Sequence, residues 1–363
     1  MTLRYGLIGA GMMGQEHIRN AALMDDVKVT AVADPDEGMR SASAALADAK
    51  AYKTTAEMLA SETFDALIIA APNHTHHRIL ADVMAQDLPI LCEKPLGVSA
   101  AQCNEIRDWA KARRAPVWVA MEYRYMPPLQ ELMGEVAAGR AGKLQMVSIR
   151  EHRFPFLEKV SDWNRFSANT GGTLVEKCCH HFDLMRLILG AEPVRIYASA
   201  GVDVNHLDER YDGRVPDILD NAYVIVDFEH GLRGMLDLCM FAEGAHWQEV
   251  ISAVGDKARI EARIPGPQRF ARVPENHHSV LAIADRSERH ETRRPVIIDP
   301  EVLSAGDHHG STYYQHKLFA DMIRTGGQPE VTLEDGTIAV AMGEAAQESA
   351  ATGQSVAMEG RYV

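Results

Sequence analysis

A chain of 363 residues, 46% hydrophobic and 24% charged, has the length and balance of a two-domain globular protein. Its formal net charge of −14 argues against nucleic acid or an anionic membrane as the main partner. Five cysteines, with Cys178 and Cys179 adjacent and no C-x-x-C pair, suit neither a disulfide framework nor a zinc site. A reducing, cytoplasmic setting follows. No apolar run is long enough to span a bilayer, and the glycines and polar residues after the N-terminus do not suit a signal peptide.

Strands and helices alternate through the first third. An apolar run, Tyr5 to Ile8, ends in Gly9, Gly11 and Gly14, and the pattern then turns helical through Ile18, Ala21 and Ala22. Val27–Ala33 is the second strand and Glu37–Ala47 an Ala-rich helix. Ala66–Ala70 is a buried strand, and Pro72-Asn73-His74 turns into a helix over His76–Gln86. Leu88–Cys92 is strand-like, Ser99 caps a helix running to about Arg113, and Val117–Met121 closes the series. This alternation predicts an α/β fold: a doubly wound parallel sheet of the Rossmann type, with its ligand across the carboxyl edge. A boundary near residues 122–126 divides the chain into a dinucleotide-binding domain, 1–123, and a substrate-binding and oligomerisation domain, 124–363.

Beyond the boundary the rhythm changes. Lys143–Phe154, Val194–Val202, Ala222–Phe228, Leu232–Phe241 and Trp247–Ile264 read as strands, with a hairpin turn at Phe228–Leu232. A large, mostly antiparallel open sheet is the natural product, with Thr173–Leu189 its main helix. Gln268–Pro300 is charged and weakly patterned. Tyr313–Arg324 and Leu333–Thr352 are helical again, and the C-terminal helix is expected to pack back on the N-terminal domain.

Three stretches carry chemistry. Gly9, Gly11 and Gly14 have the G-x-G-x-x-G spacing: a tight turn, a close approach to a pyrophosphate, and close packing of helix on strand. The helix start, at Met12 and Met13, points free N–H groups at that phosphate. Asp34 ends the second strand about twenty residues later, where an acid holds a ribose 2′-OH. Its carboxylate suits NAD and repels the 2′-phosphate of NADP; Arg40 is the nearest cation. The second stretch is Glu93-Lys94-Pro95 at the end of a sheet strand, where a lysine can bond a substrate oxygen and proline fixes the turn. The third is Gly171-Gly172-Thr173-Leu-Val-Glu176-Lys177-Cys-Cys-His180-His181-Phe-Asp183. Thr173 and Glu176 have the spacing of a capping box. Glu176 and His180 are i, i+4 neighbours, a pairing that supports a histidine as proton acceptor, and Asp183 lies three residues on.

Together with Asp34-Pro35, Ala71-Pro72-Asn73-His74 and Arg124-Tyr125, these stretches resemble the glucose–fructose oxidoreductase and inositol dehydrogenase family, often written Gfo/Idh/MocA. The resemblance covers nearly the whole chain. It implies NAD(P) in the N-terminal domain, an open C-terminal sheet used for homo-oligomers (dimer or tetramer), and a sugar, inositol or polyol as small-molecule substrate. By motif, Lys94 matches the lysine beside the nicotinamide and His180 the proton-transferring histidine; Glu176 stands where the family usually has Asp. Ala71, Pro72, Asn73, His76 and Glu93 would lie near the cofactor, and Trp163 and Arg165 in a segment folding over cofactor and substrate. Tyr123, Arg124, Arg153, Trp163, His309 and Tyr313 are polar or aromatic candidates for the substrate pocket. Asp307-His308-His309 looks like a metal cluster, but no metal is expected. The leading reading is an NAD-dependent sugar or polyol dehydrogenase. The alternatives are a redox-neutral NAD-using glycosidase or epimerase, and a non-catalytic NAD- and sugar-binding regulator.

Overall fold

The computed structural model describes residues 2–267, 270 and 277–362. They form two compact units. The first takes in the chain up to Tyr125, Lys159–Trp163 and Asp299–Val340; the second takes in Met126–Glu158, Asn164–Ile298 and the chain from Ala341.

In chain order the elements are β1 (Leu3–Ile8), α1 (Met12–Ala21), β2 (Val27–Ala33), α2 (Glu37–Ala47), β3 (Lys50–Tyr52), α3 (Thr55–Ser61), β4 (Ala66–Ile69), α4 (His76–Val83), β5 (Ile90–Glu93), α5 (Ala100–Ala110) and β6 (Val117–Ala120). There follow α6 (Pro127–Ala137), β7 (Leu144–His152), α7 (Ser167–Thr170), α8 (Thr173–Glu176), α9 (Cys179–Leu189), β8 (Pro193–Gly201), β9 (Asn221–Phe228), β10 (Arg233–Cys239), β11 (Glu249–Gly255) and β12 (Ala258–Ile264). The last are β13 (Ser279–Asp285), β14 (His290–Val296), α10 (Pro300–Ser304), α11 (Ser311–Thr325), α12 (Leu333–Thr352) and β15 (Val356–Ala357).

The first unit is built on a six-stranded parallel sheet in the order β3-β2-β1-β4-β5-β6. The order reverses between β1 and β4, the point where such sheets open a crevice at the strands' carboxyl ends. β4, β5 and β6 are buried along their whole length, as strands covered on both faces must be. Their apolar runs (Ala-Leu-Ile-Ile, Ile-Leu-Cys-Glu, Val-Trp-Val-Ala) have that composition.

The second unit carries a nine-stranded sheet, β14-β13-β12-β11-β7-β10-β9-β8-β15, in which β7 and β10 are the one parallel pair. One face is an apolar core row through Ala198, Val224, Leu236, Ile149 and Ile251. The opposite face exposes Tyr197, Ile225 and Met235, cross-strand neighbours, with Tyr223 beside them.

The structure corrects several expectations. Thr54 and Glu57 form a reciprocal capping box that starts α3, an unassigned helix, and β3 precedes it. The Ser99-capped helix ends at Ala110, short of Arg113. Pro127 and Pro128 open α6, because proline suits the first turn of a helix. Trp247–Ile264 is a hairpin of two strands, turning after Gly255. Gln268–Pro300 contains the β13–β14 hairpin; the rest of that stretch includes 268–269 and 271–276, which lie outside the described residues. Thr173 does not cap its helix: Gly172 occupies the cap position, and the Thr173 hydroxyl donates to Leu219 O at 2.6 Å.

Candidate functional site

The glycine loop follows β1, anchored by Gly9 N–H to Ala33 O and by Ala70 N–H to Ile8 O. Gly9 has φ +94°, and a Cβ there would sit 2.5 Å from Ala70 backbone. A Cβ on Gly14 would meet Gly9 O at 2.3 Å. Gly11 differs: its Cβ would meet nothing within 4 Å, so a side chain is excluded there by no part of the protein. No side chain caps α1 and its first turn holds no acid, leaving the start at Met12 and Met13 to an anion. Asp34 Oδ2 accepts from Ala10 N–H at 2.7 Å and Oδ1 from Asp36 N–H at 2.8 Å, which sets the carboxylate beside the loop. Arg40 donates to Asp34 O at 2.6 Å, so its guanidinium is held on backbone carbonyl. An open cradle, an uncapped helix start and an acid at the end of β2 fit a dinucleotide with a free ribose hydroxyl.

Ala71, Pro72 and Asn73 follow β4, and Glu93 ends β5 with Lys94 after it, along the same carboxyl edge. Asn73 opens a short 3₁₀ turn and is buried; the Lys94–Pro95 peptide is cis. His76 is fully buried with its ring nitrogens 2.8 Å from Pro95 O and 2.9 Å from Ala71 O. Burial pushes its pKa down, and the ring ties the two loops rather than facing outward. Half-buried Lys94 lies near two acids, Glu93, which the sequence motif contains, and Glu122, which sequence reasoning missed. Glu93 Oε1 is 3.0 Å from His17 Nε2, and His17 Nδ1 is 2.9 Å from His316 Nε2. Burial works to raise Glu93, but the hydrogen bond and charge of His17, with Lys94, outweigh it and hold the carboxyl low. An ionised Glu93 accepts the His17 Nε2 proton.

A second buried set meets it. Glu16 Oε1 is 2.6 Å from His308 Nδ1 and accepts from Thr312 Oγ1 at 3.0 Å. His308 Nε2 lies 3.8 Å from Glu122. Burial, with the charges of Glu93 and Glu16, pushes Glu122 up to about 7 against the pull of His308 and Lys94. Of the other candidates in this unit, Tyr123 is buried with its ring 6.3 Å from His308. Arg124 donates to Glu330 O at 3.0 Å and lies 3.5 Å from Asp335, an anchor within the unit. His309 adopts a left-handed turn, φ +53°, before α11, and Tyr313 meets Tyr314 edge to face. Trp163 packs near His74, 5.9 Å between rings, after Ser161 and Asp162, two non-glycine residues with positive φ. Among the described residues no group of three or more His, Cys, Asp or Glu is arranged to hold a metal.

The second unit holds the other set. Glu176 ends α8 and His180 lies in the first turn of α9; both are buried. The segment is two helices rather than one, and Cys178 N–H reaches back five residues to Thr173 O, a widened turn. Asp183 is buried on α9. Lys177 Nζ lies 2.9 Å from Glu151, and Arg153 Nη1 is 3.3 Å from the same carboxylate. Arg165 is almost fully buried, 2.9 Å from Glu209 and bonded to Leu157 O at 3.5 Å, so its guanidinium braces the unit's own loops. Glu151 was legible in principle: it shares strand parity with Val147 and Ile149, which places an acid in the buried row.

Residues 3–121 match the model of an oxidoreductase family's NAD-binding Rossmann fold, and residues 134–358 match the same family's C-terminal alpha/beta domain. The rhizopine catabolism protein MocA of Rhizobium meliloti is 33% identical, covering 69% of this chain and 76% of that protein. A myo-inositol 2-dehydrogenase of Thermotoga maritima is 27% identical over 98% of this chain and 99% of its own. The crystal structure of a probable dehydrogenase from Thermotoga maritima superposes with a TM-score of 0.79 at 25% identity, covering 99% of this chain and 100% of that one.

Proposed function

Because the chain belongs to the Gfo/Idh/MocA oxidoreductase family, we propose that it oxidises a secondary or anomeric hydroxyl of a sugar, inositol or related polyol with NAD. The observation that carries this reading is the open Gly11 cradle beside Asp34, with Lys94 on the same sheet edge. The inositol dehydrogenase name of the Thermotoga relative supports the substrate class. NAD, when bound, supplies the hydride acceptor. Lys94 is assigned the substrate oxygen, which its ammonium polarises as charge develops. His180 is assigned the hydroxyl proton, and Glu176, four residues before it in the chain, is assigned to favour the protonated ring. The role of Glu176 in place of the family's usual Asp is orientation from a longer arm.

The exposed row Tyr197, Ile225, Met235 and Tyr223 supports self-association through the open sheet, because contiguous apolar patches on a sheet face mark contact surfaces. The deciding assay is absorbance of NADH after mixing the protein with NAD⁺ and a panel of aldoses, inositols and sugar acids, with NADP⁺ in parallel. Substrate-dependent NADH is the expected result. NAD⁺ binding without NADH on any substrate overturns the dehydrogenase and leaves a redox-neutral enzyme or a regulator.

A further inference from the structure

One enclosed carboxylate stands behind both chemistry-bearing turns of the second unit. Glu151 lies near the end of β7 with its side chain fully buried. Its Oε1 is 2.9 Å from Lys177 Nζ and its Oε2 is 2.9 Å from His181 Nε2. Lys177 is the residue after Glu176, and His181 the residue after His180. Adjacent residues of a helical segment point about 100° apart. Holding Lys177 and His181 on β7 therefore turns Glu176 and His180 to another side of the segment, both by a similar angle.

Four groups face the Glu151 carboxylate: Lys177 and His181 from the α8–α9 segment, Arg153 from β7's end, and Glu249, its direct cross-strand partner, from β11. Burial alone would raise Glu151, but Lys177, His181 and Arg153 together hold it far below the ordinary carboxylate range. Burial and the Glu151 charge push Glu249 the other way, up. Burying such a cluster is costly, and well-packed apolar side chains in its place are often as stable or more so. Val147 and Ile149, in the same row of β7, show that the row accepts them.

We propose that Glu151 is a positioning residue for Glu176 and His180, gripping the residue after each and so setting the rotation of the segment that carries them. The proposal rests on the dehydrogenase reading for what His180 does, and on this unit's geometry for the rest. The test uses the full-length protein with NAD⁺ and its best substrate, and reads kcat, KM and the pH titration of His180 by histidine NMR, assigned with His180→Gln. Glu151→Gln and the charge-keeping, shorter Glu151→Asp are both expected to lower kcat about 10- to 100-fold, the usual cost of losing an orienting partner, with KM for NAD⁺ nearly unchanged. Glu151→Gln also lowers the His180 midpoint, since an anion leaves while Lys177 and Arg153 stay. Lys177→Gln and His181→Gln, each releasing one arm, lower kcat by less, and adding either to Glu151→Gln costs nothing more. These two also carry the test if Glu151→Gln loses its cooperative melt. Parental kcat and a parental His180 midpoint in a folded Glu151→Gln overturn the proposal. Should the parent oxidise no substrate, the dehydrogenase reading fails by itself. The His180 ring resonances then decide on Glu151: a shift in both Glu151→Gln and the charge-keeping Glu151→Asp supports positioning, and a shift in Glu151→Gln alone, or in neither, refutes it.

Discussion

A carboxyl group shut away from water keeps its proton to a higher pH than one in solution, and Glu122 is such a group. Its pKa is about 7 in the folded chain, against 4.5 for an ordinary glutamate. The folded state therefore binds this proton more tightly than the unfolded state does. The stability it contributes is complete below about pH 4.5 and is lost as pH rises through about 7, a swing on the order of 3 kcal/mol. Glu122→Gln, which is neutral throughout, should narrow the drop in melting temperature between pH 5 and pH 8; an equal drop in parent and variant would place the titration elsewhere. His180→Ala should lower kcat by ~10²–10⁴ while NAD⁺ affinity holds, as measured by fluorescence titration. Equal loss of both would make His180 structural. At this scale a motif indicates where a residue sits in the fold, as with Lys94 after β5 and His180 in the first turn of α9. The sequence was opaque where partners come from remote stretches: nothing near His17 announces His316, and nothing near Glu16 announces His308.

The glycine loop separates two kinds of constraint within one element. Gly14→Ala places a methyl 2.3 Å from Gly9 O and should cost both folding stability, by about 2 kcal/mol or more, and NAD⁺ binding. Gly11→Ala meets only open space, so the melting temperature without NAD⁺ should stay near the parent's while NAD⁺ affinity falls. A calorimetric scan with and without cofactor distinguishes them. Sequence pattern located β2, α2 and α12: β2 and α2 by an apolar pattern of the right period, α12 by an Ala-rich run of helix formers with little amphipathic bias. It missed β3, whose three residues are half-buried at most, and α3, whose signal was the Thr54–Glu57 capping box rather than an apolar face. It fused β11 and β12 because their alternation continues across the turn.

Across the whole molecule, the sheet of the second unit makes its own demand. Tyr223, 63% exposed, and Ile225, 51% exposed, are large apolar side chains facing water in the monomer. Tyr223→Glu with Ile225→Asp should lower the mass seen by sedimentation toward a single chain without unfolding the protein; an unchanged mass would remove this face from the interface. The overall α/β plan and the two sheets could be read from the alternation of elements, since each sheet is built of runs consecutive in sequence. The buried wall of the first unit could not, because His308 and α11 with its His316 come some two hundred residues after β6. That discontinuity orders events in time. A ribosome releases β1 to β6 well before the α11 partners of Glu16, His17 and Trp118, which lie some two hundred residues further along the chain. A sheet released early is thus completed by a helix released much later, and a fragment cut at Tyr125 would lack that wall.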